Sequence, residues 1–236
     1  LQTSAQSGRI FHMLAPFPPE WSGIAAGCAL PHKNPARNHM HTLERQADQL
    51  KYAGIWPDAP TEPGSAPGPD LSWVLPKPSQ VRPVPGGVRL RPYALFILCG
   101  SAYLLDKRWP AERYGQLGKM LSERGYDIVI IGGLQESALA RQIQRYVGQA
   151  RYLTGRTDFA KVAMLGAKAA LVVGNDTGPL HLAAATGAPT VVMFSNASDP
   201  KLAAPRGHVT VLKADNLAEL PVSAVLQAAN ALLPAA

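Results

Sequence analysis

The chain has little cysteine, no long apolar run and no block of like charges, and each absence removes a class of protein. Its two cysteines, Cys28 and Cys99, lie far apart and outside any C-x-x-C pattern. That excludes a disulfide-stapled scaffold and a cysteine zinc site, and suits free thiols in a reducing compartment. No apolar stretch reaches the ~18 residues that a membrane-spanning helix needs. No Lys/Arg block and no RNA-binding aromatic motif is present, so nothing points to nucleic acid. Acidic residues are the scarcer sign, 16 against 23 Lys and Arg, which gives a net charge of +7 and a pI near 9.6. Such a balance suits phosphorylated small molecules or an anionic membrane surface. What the chain does have is a hydrophobic content of 47% over 236 residues, enough for one large core or two small ones.

The stretch that organises the rest runs from Leu171 to Gly187. A short apolar run, Ala169 to Val173, has the look of a buried strand. The polar turn Gly174 to Gly178 follows. Pro179 stands where a helix begins, since its missing N–H would find no partner there. Leu180, Leu182 and Ala183 to Ala185 carry the helix on, Gly187 and Pro189 end it, and Thr190 to Phe194 reads as the next strand. This places Asp176, Thr177, Gly178 and His181 at the carboxyl end of a strand. A helix N-terminus with its unpaired N–H groups suits a phosphate. There Gly178 admits a close backbone approach and Thr177 offers a hydroxyl. Asp176 would repel a phosphate, so it caps the helix or accepts from sugar hydroxyls. The residues alone are equally compatible with a well-capped helix and a satisfied histidine.

The remaining elements fall in a regular order. Residues 1–56 are irregular until a helix over Met40 to Ala53, with Leu43, Ala47, Leu50 and Tyr52 as its apolar stripe. Residues 57–92 hold ten of the 22 prolines and cannot form a packed helix or a central strand. They read as an interdomain connection, with Leu71 to Leu75 as a short strand. From Tyr93, strands at 93–98, 127–131, 151–153, 169–173, 190–194 and 209–212 alternate with helices. That alternation predicts an α/β fold, a doubly wound parallel sheet with ligands beyond the carboxyl ends of its strands. Ser101, Lys107, Glu136 and Asp176 to Gly178 then converge on one edge.

Asp176 through Thr190 resembles, without a break, the D-[ST]-G-P-x-H-L-A-A-A-x-G-x-P-T signature of glycosyltransferase family 9, the heptosyltransferases of lipopolysaccharide core synthesis. Gly100 to Pro110 resembles the family's P-G-[AST]…K-x-W-P segment, with Cys99 where proline is usual. Gly132-Gly133-x-x-Glu136 resembles its ribose-binding segment. His41-Thr42-Leu43-Glu44-Arg45 resembles its H-x-x-E-R. The first residues, Leu1 to Arg9, are similar to a segment from inside its N-terminal domain. After Phe194 the usual F-G-P-[ST]-x-P is replaced by Ser195-Asn196-Ala197-Ser198-Asp199-Pro200.

The resemblance implies the GT-B architecture, two Rossmann-like domains with a cleft between them. It divides the chain into a partial acceptor-side domain (1–56), the connection (57–92) and a donor-binding domain (93–236). It implies an inverting transferase that needs no metal or other cofactor and takes a heptose from an ADP-sugar to lipopolysaccharide inner core. Such an enzyme sits in the cytoplasm or on the cytoplasmic face of the inner membrane. Ser101 and Lys107 would hold the diphosphate, Glu136 the ribose, and Asp176, Thr177, Gly178 and His181 the remainder of the donor. Arg45 would reach a phosphate or carboxylate of the acceptor; an exposed helix face is the alternative for it. The family's catalytic Asp is expected upstream of Leu1, so this chain is expected to hold a donor site and no complete active site. Two other functions stay open: a degenerate nucleotide-sugar-binding protein, and another GT-B enzyme such as a nucleotide-sugar 2-epimerase.

Overall fold

A computed structural model describes residues 10, 13, 20–74, 91–98 and 108–234. The chain forms two compact units, Leu1–Gly68 with Lys201–Ala203, and Pro69–Pro200 with Ala204–Ala236.

The first unit contains two short parallel strands, β1 (Ser22–Gly23) and β2 (Leu30–Pro31), and one helix, α1 (Thr42–Tyr52). The helix begins later than the hydrophobic pattern suggests, because the His41 side chain accepts the Leu43 N–H and caps it. Its buried face also differs from the expected stripe. Glu44, Asp48 and Gln49 are buried with Ala47, whereas Tyr52 is half exposed. The reason is that this unit has little regular sheet, so loop groups need side-chain partners. Glu44 Oε1 accepts the N–H groups of Gly64 and Ala66, and Gln49 Nε2 donates to the Ser22 carbonyl. Asp48 Oδ2 takes His32 Nε2 at 2.6 Å and Asn34 Nδ2 at 2.7 Å, while Arg37 Nε donates to His32 Nδ1. Leu71 to Val74, at the start of the second unit, forms a turn, not a strand. Asp70 Oδ1 accepts the Ser72 N–H there, and the chain closes from Val74 N–H to the Leu71 carbonyl. Leu75 lies outside the described residues.

The second unit is built on six parallel strands: β3 (Tyr93–Ile97), β4 (Asp127–Ile131), β5 (Arg151–Tyr152), β6 (Leu171–Asn175), β7 (Thr190–Phe194) and β8 (Val209–Lys213). Their spatial order is β5-β4-β3-β6-β7-β8. Its helices are α2 (Ala111–Glu123), α3 (Ser137–Gln144), α4 (Phe159–Lys168), α5 (Gly178–Ala184) and, after the single turn α6 (Pro200–Ala203) that belongs to the first unit from Lys201 on, α7 (Val222–Leu232). Ala94, Phe96, Ile128, Ile130, Val173 and Met193 project from one face into a core with Tyr114 and Leu117 of α2, Ile143 of α3 and Val225 of α7. The alternate residues face α4 and α5. Tyr93 OH donates to the Leu165 carbonyl in α4, and Leu180 of α5 lies over Gly174. Both faces are therefore covered, which is why the strands are apolar throughout and not alternating.

The order is that of a Rossmann fold. The sheet grows outward from β3 in one direction and from β6 in the other, and the switch lies between them. Helix α5 starts at Gly178, one residue before Pro179, with Thr177 as its N-cap. It stops where Gly187 takes φ +85°, a conformation that glycine adopts without strain.

Helices α4 and α5 meet at Gly166. A Cβ there would sit 2.9 Å from the Ala183 Cα and 3.1 Å from its carbonyl oxygen. Backbone cannot yield as a side chain can. Gly166→Ala is expected to lose about 1–3 kcal/mol by overpacking, more than the ~1 kcal/mol that alanine gains in a helix interior. A lower urea midpoint at unchanged slope is the expected result.

Candidate donor site

The carboxyl ends of β3, β4, β6, β7 and β8 share one edge of the sheet, because all are parallel. The switch point between β3 and β6 is held by Asn175, the last residue of β6. Its side chain is 2% exposed. Its Oδ1 accepts the Trp109 N–H at 3.3 Å and the Tyr114 hydroxyl at 3.4 Å, which ties the end of β6 to the start of α2. Sequence reasoning missed Asn175. The available signal was an amide closing an otherwise apolar strand.

Asp176 follows, and it joins two other elements. Oδ1 lies 2.8 Å from His181 Nε2, and Oδ2 accepts the Ser198 hydroxyl at 2.7 Å. A carboxylate only accepts, so Nε2 carries the hydrogen of the first bond. Asp176 is thus not the N-cap of α5; that residue is Thr177, whose hydroxyl donates back to the Asn175 carbonyl at 3.3 Å. Among the described residues no side chain caps the helix end. A Cβ built on Gly178 would meet nothing within 4 Å, so the approach to this N-terminus is open among the described residues.

Ser198 was also missed. It lies in the loop that replaces the usual Gly-Pro after β7. That loop is shaped by side chains: the Ala197 N–H donates to Ser195 Oγ, and Asn196 Nδ2 donates to Asp215 Oδ1 beyond β8.

Glu136 is completely buried. Oε2 accepts the Gly133 N–H at 2.7 Å, and Oε1 accepts Arg108 Nη2 at 3.3 Å. It therefore closes the turn after β4 upon itself and fixes the residue just before Trp109. Ser101, Lys107 and Cys99 lie outside the described residues. The structure thus gathers Asp176, Thr177, Gly178 and His181 around one helix start, while Glu136, beyond the end of β4, pairs with Arg108 ahead of α2. Arg45, in the first unit, is half-buried and donates from Nη2 to Thr42 Oγ1 at 3.2 Å. Burial, reinforced by the like charge of Arg45, holds the Arg37 guanidinium below its usual value. Two guanidinium groups thus lie within electrostatic reach of one another. Among the described residues no cluster of three or more His, Cys, Asp or Glu side chains could hold a metal ion. Nor is any described helix long and apolar enough to cross a membrane.

The sequence model of glycosyltransferase family 9 (heptosyltransferase) matches residues 36–223. Lipopolysaccharide heptosyltransferase 2 of Escherichia coli is 30% identical over 114 residues, covering 46% of this chain and 32% of that protein. The match thus spans about a third of that relative's length. The structure of an E. coli ADP-heptose heptosyltransferase II covers 91% of this chain and 70% of its own, with 23% identity and a TM-score of 0.69. That likeness shows the fold, a Rossmann-like parallel sheet of the GT-B kind. A second E. coli heptosyltransferase, solved with ADP, is 28% identical over 59% of this chain and 44% of its own, with a TM-score of 0.55.

Proposed function

Because the chain belongs to glycosyltransferase family 9, the heptosyltransferases, we propose that it binds an ADP-sugar and serves transfer of a heptose to lipopolysaccharide inner core. The observation that carries this reading is the open N-terminus of α5 at the sheet's switch point, with Thr177 and Gly178 in its first turn. Unpaired N–H groups and a positive dipole end there favour a diphosphate. Lys107 and Ser101 complete the phosphate site from the loop after β3. We place the ribose at Glu136, where a hydroxyl would exchange with the Arg108 contact, the longer of the two that carboxylate makes. His181 and Asp176 border the sugar, and His181 acts as a hydrogen-bonding group, not as the base. No residue of this chain is assigned as the base. Arg45, with its charge felt by Arg37, takes an anionic group of the acceptor.

In the reaction, an acceptor hydroxyl oxygen attacks the anomeric carbon from the face opposite the diphosphate. The bond from that carbon to the phosphate oxygen breaks, and ADP departs with the electron pair. The acceptor proton passes to a base. Inversion follows from the single displacement. Lys107 and the α5 N-terminus stabilise the negative charge that develops on the leaving diphosphate, so no metal is required in this scheme. The working location is the cytoplasmic face of the inner membrane, where a lipid-linked acceptor is presented.

Calorimetric titration with ADP tests the reading, on this chain and on Lys107→Ala. We expect binding that the substitution weakens by about 1–3 kcal/mol, the range for a charge-assisted hydrogen bond. UDP or GDP binding in place of ADP would overturn the donor. A folded sample that binds no nucleotide would leave a non-catalytic protein as the better reading.

A further inference from the structure

Helix α4 turns two different faces outward and inward. Val162, Ala163 and Gly166 are buried, the last against α5. On the other side Lys161, Met164, Leu165 and Lys168 recur at i, i+3, i+4 and i+7, one stripe of the helix. The stripe is apolar in the middle and cationic at both ends. It borders a cavity of about 310 Å³, which Leu153 and Arg156 also line and whose lining is mainly apolar. Tyr93 lies beneath, its hydroxyl bonded to the Leu165 carbonyl. Burial pushes that phenol up to about 12, so it stays neutral. Phe159, the first residue of α4, is 76% exposed.

The charge around this groove has one dominant sign. Residues 151–168 contain Arg151, Arg156, Lys161 and Lys168 against the single acid Asp158, a net +3 of the chain's +7. Asp158 pairs with Lys161 and caps the helix. Among the described residues, Arg151, Arg156 and Lys168 have no carboxylate partner. Long cationic side chains that flank an apolar stripe can lay their stems along it and hold their heads at a charged plane. An exposed aromatic ring beside them is the pattern of a surface that enters a headgroup layer.

We infer that this groove, with Phe159, docks the second unit onto an anionic phospholipid surface. Arg156, Lys161 and Lys168 meet the phosphates, and Phe159 enters the acyl boundary. An acidic protein would satisfy the cations, but the exposed Phe159 ring and an apolar groove within one basic rim fit a headgroup layer better. The inference rests on the groove and not on the nucleotide-sugar reading.

Vesicle co-sedimentation tests it, using phosphatidylcholine alone and phosphatidylcholine with phosphatidylglycerol. The chain is expected to sediment with the anionic vesicles only, and less so at high salt. Arg156→Glu with Lys168→Glu should lower that affinity about tenfold or more, since each basic residue near an anionic leaflet contributes about 1 kcal/mol. Among the described residues neither has an ion pair to lose, and an unchanged thermal midpoint checks the fold; Arg156→Gln with Lys168→Gln gives the milder version. Phe159→Ser should weaken binding about fivefold or more while leaving its salt dependence in place. No binding to anionic vesicles, equal binding to neutral ones, or full binding by the charge-reversed variant would each overturn the inference. ADP titration of the same variants should be unchanged, so failure here is separable from failure of the donor site.

Discussion

Glu136→Ala is expected to cost the second unit about 2–4 kcal/mol, before any ligand is added. The carboxylate is buried and both oxygens are occupied, one by the Gly133 N–H and one by Arg108. Removing a buried partner leaves its counterparts short of a bond that water cannot readily replace, which costs several kcal/mol when a charge is involved. Arg108 keeps some exposure, so the figure falls below that for a fully enclosed pair. Urea denaturation measures the loss directly. Glu136→Gln provides the contrast: it keeps the volume and the Gly133 bond, and should lose about half as much. A Glu136→Ala variant of undiminished stability but weaker ADP binding would mean that the carboxylate serves only the ribose. Loss of stability with unchanged ADP affinity would mean that it serves only the turn.

The double position of Glu136 shows what a sequence can carry. The pattern Gly132-Gly133-x-x-Glu136 located a carboxylate at a strand end, and the structure places it there. Whether it faces a ligand or its own turn depends on Arg108, whose approach nothing in the spacing reveals. Strands were the most legible elements because their apolar runs are bounded by turn residues. The strand Thr190–Phe194 lies between Pro189 and the polar loop Ser195 to Asp199, and both ends were readable. Helix α1 was read less well. Period alone marked Leu43, Ala47, Leu50 and Tyr52 as the inward face, but the unit buries Glu44, Asp48 and Gln49 to satisfy loop backbone. Amphipathicity argues from the cost of burying polar groups, and that cost vanishes where each polar group finds a partner.

The loop after β7 makes a related point about a departure from the family pattern. A Gly-Pro pair stiffens a loop through backbone limits. Here Ser195, Asn196 and Ser198 make hydrogen bonds to Ala197, Asp215 and Asp176 respectively. Three strand ends, those of β6, β7 and β8, become linked by side chains instead. The loss of Gly-Pro is therefore compatible with an ordered loop beside His181, at the cost of making Asp176 answer to two neighbours.

Trp109→Ala should have the largest effect of all, about 3–5 kcal/mol, as for other buried tryptophans cut to alanine. The ring is buried and lies edge-on to Tyr114, with centroids 4.7 Å apart. Its Nε1 donates at 2.9 Å to the Leu220 carbonyl, which also accepts from Arg113 and lies just ahead of α7. Its backbone N–H reaches Asn175 at the end of β6. One residue thus joins the start of α2, the approach to α7 and the switch point of the sheet. The substitution leaves a cavity where the ring was and removes one of the Leu220 donors together. Trp109→Phe separates the two terms: it keeps most of the packing and should lose only about 1 kcal/mol for the hydrogen bond. If Trp109→Ala unfolded within 1 kcal/mol of the parent chain, the α2–α7 junction would not depend on this ring, and Asn175 would have to hold the switch point without it. If the loss is as large as expected, ADP affinity should fall in the same variant well below its unfolding midpoint. Arg108 directly precedes this anchor, and through it the Glu136 carboxylate of the proposed ribose site is tied to the same junction.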